Sequence, residues 1–207
     1  MINANTVKQS FAAIAQAMTH NKELLTKLDS AAGDGDLGIS MEQGFGAVVA
    51  FLDQCDETDL GVLLMRTSGV LNEASPSTLG TVLSVGLMTG GKTLKGKTEA
   101  AAADFAQFME VGCQGIMTRS KSAPGEKTIL DALLPAARAL REAADAGKDL
   151  PEATALAAQA AAKGCEDTLK MKAVHGRAAY YAEKSIGLQD GGATVAKIIF
   201  ETLADLH

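Results

Sequence analysis

The chain has 207 residues, a formal net charge of −6 and 4% aromatic residues. This length suffices for one sizeable core, and the lack of any basic stretch argues against nucleic acid as a partner. No apolar run approaches the roughly 20 residues of a membrane-spanning helix, and the first ten residues do not resemble a signal peptide, so we expect no membrane association. Three cysteines without C-x-x-C spacing predict reduced thiols in a cytoplasmic protein.

Helical periodicity dominates the first half of the chain. Apolar residues recur at three- and four-residue steps over 7–28 and over 40–54, which predicts one helix in each segment. Asp59 is a suitable cap for a helix that continues through Val70, and Thr98 is a suitable cap for the alanine-rich helix predicted after it.

The second half continues the same pattern. We predict a helix over 131–146, with Gly147 just beyond its end, and a helix over 151–173 that begins at Pro151. Two further helices are predicted over 177–186 and 193–206. Because only four prolines and few β-branched alternations interrupt this pattern, the sequence predicts about eight helices in a single all-α domain over residues 1–207.

One motif points elsewhere. Residues 86–93, GLMTGGKT, match the phosphate-binding pattern G-x-x-x-x-G-K-S/T, and the segment TVLSVGLM has the composition of the strand that precedes a P-loop. However, Gly96 interrupts the helix that should follow, and no later strand ends in an aspartate for magnesium. We therefore interpret the motif as a helix that ends at a Gly-Gly turn, with a P-loop NTPase as the alternative.

A cluster of acidic residues gives a sharper signal. In LDSAAGDGDLGIS, which begins at Leu28, glycines separate Asp29, Asp34 and Asp36 and prevent a regular helix. Three carboxylates held together repel one another unless a cation binds them, and hard oxygen ligands favour Mg²⁺ or Ca²⁺. An EF-hand is excluded, because Phe45 stands where its final glutamate is required. Mg²⁺ usually shares its ligand shell with phosphate, which predicts a phosphate ligand; the alternative is a solvated Asp-Gly turn.

Four blocks, in order, resemble the L subunit of dihydroxyacetone kinase and the nucleotide domain of single-chain dihydroxyacetone kinases. They are LDSAAGDGDLGISMEQGF from Leu28, SPSTLGT from Ser75, SKSAPGEKTILDALLPA from Ser120 and GRAAYYAEKSIGLQDGGAT from Gly176. The resemblance implies an antiparallel eight-helix barrel that binds ADP or ATP with two Mg²⁺ ions in loops at one end.

The resemblance also implies the site residues. Asp29, Asp34 and Asp36 would be the metal ligands. The residues implied to contact the nucleotide are Leu37, Gly38, Ile39, Ser40, Ser75, Ser77, Thr78, Ser120, Ile129, Arg177, Asp190, Gly191 and Gly192. No catalytic residue is expected in this chain, because in the family a partner subunit holds the substrate.

Four positions depart from the family pattern. Leu37 and Leu188 stand where the family often has histidine, Pro76 stands in place of a glycine and removes a backbone donor, and Gly191 stands in place of a proline. These departures leave the three aspartates intact and bear on nucleotide affinity and exchange. The alignment of residues 75–78 stays open by a few positions.

By resemblance, the chain presents the γ-phosphate to dihydroxyacetone, or to another short ketose, on a partner K subunit. A phosphotransferase-system M subunit would rephosphorylate bound ADP, or free ATP would exchange with it; the altered loops favour exchange. Two alternatives concern the role of the chain. In the first, the chain is a nucleotide-sensing module that regulates a partner such as a transcription factor. In the second, it is an L-type domain like that of fatty acid kinases.

Overall fold

A computed structural model describes residues 1–206, and helices make up most of it. The α-helices are α1 (Ala4–His20), α2 (Lys22–Ser30), α3 (Leu37–Asp53), α4 (Leu60–Ala74), α5 (Thr78–Gly91), α6 (Ala102–Ser120), α7 (Leu130–Asp145), α8 (Leu150–Asp167) and α9 (Gly191–Asp205). The structure also has three 3-10 segments: Lys92–Leu94 after α5, Thr168–Lys170 after α8 and Arg177–Ser185 before α9. Two short strands, β1 (Ile2–Asn3) and β2 (Glu99–Ala100), pair antiparallel.

Eight of the helices form a closed ring. Helix α1 packs against α3, each helix from α3 to α8 packs against the next along the chain, and α9 packs against α1. The short α2 connects α1 to α3 and packs against α3 and α9. Apolar side chains from around the ring, including Phe11, Phe45, Phe108 and Phe200, form one buried core inside it. The ring confirms the predicted all-α barrel. None of the helices described for residues 1–206 is long and apolar enough to cross a membrane.

The consecutive helices of the ring run in opposite directions, which brings alternate loops to one end of the barrel. The first residues of α3 and α5 meet there, since the Ser40 and Ser77 hydroxyls are 2.9 Å apart. The start of α9 also lies there, because a Cβ added at Gly191 would be 2.6 Å from Leu37 Cδ2. A Cβ added at Gly192 would be 3.3 Å from Ile129 Cβ at the start of α7. We call this the loop end of the barrel.

Several predicted helix boundaries are wrong for identifiable reasons. The helix predicted over 7–28 is two helices, because Asn21 leaves the helical conformation and its side-chain amide donates to the Ala17 carbonyl at 2.9 Å. Thr98 does not cap a helix: Glu99–Ala100 pairs with the N-terminal strand, and α6 begins only after Ala101, whose N–H donates to Asp104. By contrast, Asp59 caps α4 as predicted, accepting the Val62 N–H at 3.0 Å.

The helices predicted near the C-terminus also differ in extent. Helix α8 ends at Asp167 and continues only as the 3-10 segment Thr168–Lys170. The predicted helix over 177–186 is the 3-10 segment Arg177–Ser185, which is broken at Ala182 (φ 48°, ψ −122°). All three cysteines are buried and free, as expected for reduced thiols.

Residues 86–93 do not form a P-loop. The segment TVLSVGLM is helical, and Lys92 lies just after α5, at the end of the barrel opposite the loop end. The glycines of the motif serve helix packing. A Cβ added at Gly90 would be 2.5 Å from the Phe108 carbonyl oxygen, and one added at Gly112 would be 3.0 Å from the Gly86 carbonyl oxygen. These glycines therefore permit the close approach of α5 and α6.

Candidate functional site

Three aspartates converge at the loop end. Asp29 lies in the last turn of α2, and Asp34 and Asp36 lie in the loop before α3. One carboxylate oxygen of each lies within 4.8 Å of the others. The loop folds back because Asp29 Oδ2 accepts the N–H groups of Gly35 and Asp36, at 2.7 and 3.0 Å. Gly35 has φ +77°, which glycine adopts without strain.

The electrostatics of these aspartates favour a bound cation. Burial raises the pKa of Asp36 above its usual value, the charges of Asp34 and Asp29 raise it further, and Arg177 partly opposes the shift. Two neighbouring carboxylates therefore disfavour the ionised form of the third. A cluster of carboxylate oxygens at this spacing matches the hard-oxygen donor set of Mg²⁺, and the residues fit that ion.

An arginine that is distant in the sequence contacts the aspartate cluster. Arg177 begins the 3-10 segment, and its guanidinium lies 2.6 Å from Asp34 Oδ2. Tyr180 and Tyr181 follow in the same segment and, with Ala32 and Gly33, line a shallow depression beside this ion pair. The segment thus borders the three aspartates.

Three serine hydroxyls form a second group, at the starts of α3 and α5. Ser40 Oγ lies 2.7 Å from Ser75 Oγ and 2.9 Å from Ser77 Oγ. Ser77 caps α5 by accepting the Gly80 N–H, and Thr78 is the first residue of that helix. Helix starts present backbone N–H groups without partners in the helix and carry partial positive charge, so this group suits an anion such as phosphate.

The loop before α7 contributes a third group. Ser120 ends α6, and its hydroxyl lies 2.5 Å from that of Ser122. The Asp131 carboxylate accepts the N–H groups of Gly125 and Thr128, at 2.6 and 2.7 Å, which fixes the shape of the loop. Ile129 is buried at the start of α7.

The start of α9 joins the second and third groups. Asp190 caps α9, with Oδ2 accepting the Ala193 N–H at 2.7 Å. Burial raises the pKa of Asp190 to about 6, although the cap hydrogen bond and the nearby Lys127 ammonium lower it. The close approach of Gly191 to Leu37 links two departures from the family pattern, because a larger residue at 191 would collide with Leu37.

All of the residues predicted for the site therefore lie at the loop end. The structure brings Asp29, Asp34, Asp36 and Arg177 into one cluster and Ser40, Ser75 and Ser77 into another. Leu37, Gly38, Ile39 and Thr78 occupy the first turns of α3 and α5; Ser120, Ile129, Asp190, Gly191 and Gly192 lie at the ends of α6, α7 and α9.

Sequence reasoning missed residues that hold the loops together. Lys127 is buried and contacts the end of α8, and His175 Nε2 lies 2.6 Å from Glu126 Oε2. The sequence favours a surface or capping role for His175, and it leaves a solvated charged loop and a loop near the nucleotide equally open for Glu126 and Lys127. The signal for Glu126 and Lys127 was their presence in the block that begins at Ser120, and for His175 it was the adjacent block that begins at Gly176; neither signal indicated which atoms these residues contact.

Fold and site together define an all-α barrel with a cluster of metal-binding character beside a phosphate-type site at one end. The chain belongs to the DAK2 domain family, whose profile matches residues 31–205. It is similar to the PEP-dependent dihydroxyacetone kinase, ADP-binding subunit DhaL, of Escherichia coli (strain K12), with 31% identity over 88% of this chain and 87% of that protein. It is also 32% identical to L-erythrulose kinase of Pectobacterium atrosepticum, over 97% of this chain and 34% of that one.

Solved structures agree on the fold. The dihydroxyacetone kinase of C. freundii in its native form matches with a TM-score of 0.79 and 20% identity, over 100% of this chain and 35% of that chain. The same kinase in complex with AMP-PNP and Mg²⁺ matches with a TM-score of 0.78 and 21% identity. The chain thus spans about a third of these longer proteins and most of the DhaL subunit.

Proposed function

We propose that this chain binds Mg-ADP or Mg-ATP at the loop end and is the L subunit of a dihydroxyacetone kinase. In this role it donates the phosphoryl group to dihydroxyacetone, or a similar short ketose, held by a separate K subunit. The observation that carries the proposal is the cluster of three aspartates at one end of the barrel that also holds the starts of α3 and α5. The similarity to an ADP-binding subunit over most of both chains supports it.

The metal site would consist of Asp29, Asp34 and Asp36. Mg²⁺ ions held there, two by resemblance, would neutralise charge on the nucleotide's phosphates. The three carboxylates lie close enough to serve one site, and their mutual repulsion in the free protein favours cation binding.

The phosphates would be bound mainly by α3 and α5. The first-turn N–H groups of these helices suit an anion, and the Ser40 and Ser77 hydroxyls lie between the two helices. Arg177, now paired with Asp34, is close enough to the aspartates to turn towards an incoming phosphate. In this scheme the chain positions the nucleotide and supplies no covalent nucleophile.

The partner subunit would approach the loop end. Ile39 and Tyr180, with 42% and 90% of their surface exposed, lie at this end and leave room for a second protein. An M subunit would rephosphorylate ADP that stays bound, whereas free ATP would require nucleotide exchange. We propose exchange, because Gly191 and Pro76 change the turns that would enclose the nucleotide.

Reconstitution tests the proposed function directly. The purified chain would first be denatured and the supernatant examined for released ADP. The native chain would then be mixed with a K subunit, dihydroxyacetone and Mg²⁺, together with ATP, with a phosphorylated M subunit, or with neither. We expect formation of dihydroxyacetone phosphate that depends on both subunits. Nucleotide binding without transfer would contradict the kinase role and favour a nucleotide-sensing module; transfer only with an M subunit would contradict exchange.

A further inference from the structure

We propose that Lys127 is a positioning residue for the nucleotide site, because its ammonium group holds three loop-end segments in register. The segments are the loop before α7, the end of α8 and the turn before α9. This inference rests on the proposed nucleotide-binding function and adds to it a residue that would act without contacting the ligand.

The contacts of the ammonium group define this role. Lys127 Nζ donates to the carbonyl oxygens of Thr168 at 2.7 Å and Met171 at 3.3 Å, and it also donates to the carbonyl oxygen of Leu188. An ammonium group has three hydrogens, so these three acceptors use its full capacity. The acceptors lie 41, 44 and 61 residues away in sequence. One side chain therefore joins segments that no local turn connects.

Burying the Lys127 ammonium group and holding its backbone at a positive φ both cost free energy, which argues that the three contacts are specific. Lys127 is only 6% exposed, and its backbone has φ +61°, a conformation that residues other than glycine rarely adopt. Burial lowers the pKa of its ammonium group, while Asp190 and Asp131 favour the charged form. The C-terminal end of α8 also favours a cation, since Thr168 caps that helix. A neutral side chain would leave three carbonyl groups without this donor.

The segments that Lys127 joins are those predicted to enclose the nucleotide. Its own loop leads within two residues to Ile129. The Thr168 hydroxyl accepts the Asp190 N–H at 3.1 Å, so the end of α8 also fixes the cap of α9. From Asp190 the chain continues into Gly191 and Gly192, which approach the starts of α3 and α7. Displacement of Leu188 would therefore move the turn that faces the phosphate site.

Lys127 makes no direct contact with the aspartate cluster. The Asp29 carboxylate accepts the N–H groups of Gly35 and Asp36 within its own loop, and the Asp34 carboxylate pairs with Arg177. The Lys127 contacts reach them only indirectly, through the segment between Met171 and Leu188 that carries Arg177. Loss of the ammonium should therefore separate the two binding events: nucleotide affinity falls, while binding of a bare divalent cation persists.

The test compares Lys127→Met with Lys170→Met. Methionine keeps an unbranched chain and removes every donor. Lys170 is a matched control because it lies at the same end of α8, with its side chain 78% exposed. ADP binding in Mg²⁺ would be measured by calorimetry and Mn²⁺ binding without nucleotide by electron paramagnetic resonance. We expect Lys127→Met to weaken ADP binding roughly tenfold to a hundredfold, without weakening Mn²⁺ binding. Lys170→Met should match the wild type in both.

Each other outcome has a definite meaning. Wild-type ADP affinity in Lys127→Met, or a parallel loss of ADP and Mn²⁺ binding, would overturn the positioning role. If the methionine variant does not fold, Lys127→Gln, which keeps two N–H donors without the charge, enters the same comparison. A wild-type chain that binds no ADP would instead contradict the proposed function, and the positioning role would fall with it.

Discussion

Arg177 and Asp34 form an ion pair in which one guanidinium nitrogen lies 2.6 Å from a carboxylate oxygen. The pair joins the 3-10 segment to the aspartate cluster, and a cation that binds Asp34 must compete with the guanidinium for that carboxylate. The relationship suggests that Arg177 has opposite effects on the two ligands: it competes with the metal and would attract the phosphates.

Replacement of Arg177 by alanine should therefore separate these effects. Mn²⁺ binding without nucleotide should tighten by about two- to fivefold, a small change because both side chains are largely exposed. ADP binding in Mg²⁺ should weaken by about tenfold, because a charge-assisted contact to phosphate is lost. Electron paramagnetic resonance would measure the Mn²⁺ affinity, and calorimetry would measure the ADP affinity. Weakening of both would show that Arg177 supports the metal site instead of competing with it.

Replacement of Asp34 and Asp36 together by asparagine should abolish the Mg²⁺ dependence of ADP binding. The change removes two of the three carboxylates that lie within 4.8 Å of one another. Calorimetric titration with and without Mg²⁺ measures it. Lys92→Ala is the matched control. Lys92 belongs to the P-loop-like motif at the opposite end of the barrel, so its replacement should leave ADP affinity unchanged. Mg²⁺-dependent binding in the aspartate variant, or its loss in Lys92→Ala, would contradict the site assignment.

Asp190 should make stability depend on pH. Its pKa is raised from 3.8 to about 6 in the folded protein, so the folded state binds the proton more tightly than the unfolded state. Its contribution is fully present below pH 3.8 and is lost as the pH rises through about 6. Asn at 190 retains a helix cap and does not titrate. The stability of Asp190→Asn relative to the wild type should therefore rise between pH 4 and pH 6, by at most about 3 kcal/mol.

Urea denaturation at a series of pH values would check this expectation. Asp149→Asn provides the control. Asp149 also caps a helix, because its carboxylate accepts the Glu152 N–H at 3.0 Å, but it lies in an exposed loop. If the difference in unfolding free energy between Asp190→Asn and the wild type stayed constant across this pH range, the pH dependence of stability would not come from Asp190.

Gly90 should tolerate no side chain. A Cβ there would lie 2.5 Å from the Phe108 carbonyl oxygen, so Gly90→Ala must push α5 away from α6 at a cost of about 1–3 kcal/mol. At Gly69, in α4, a Cβ would meet nothing within 4 Å, and Gly69→Ala should stabilise the protein by about 0.5–1 kcal/mol through helix propensity. Thermal unfolding of both variants checks the contrast. Equal effects would contradict the packing role of Gly90.

Much of the architecture could be predicted from local signals. Periodicity located most of the ring helices, because a helix that lines a barrel must place apolar residues on one face. Asp59 was recognisable as a cap because an N-cap acts within three residues. The spacing of Asp29, Asp34 and Asp36 among glycines was enough to predict that they converge.

The remaining features depend on contacts between distant segments. The start of α6 shifts because Glu99 pairs with Asn3, which no pattern around Thr98 reveals. The buried environment of Lys127 exists only when residues 168–188 fold against it, and the sequence alone shows a lysine in a polar loop. Asn21 divides a continuous apolar pattern by a single side-chain hydrogen bond.

The placement of both tyrosines at the loop end has a practical consequence. The chain has no tryptophan and two tyrosines, and both tyrosines, Tyr180 and Tyr181, lie in the 3-10 segment beside the aspartate cluster. All intrinsic ultraviolet emission above the weak phenylalanine signal therefore originates next to the proposed binding site. Unlabelled protein can report ligand or partner arrival by its own fluorescence.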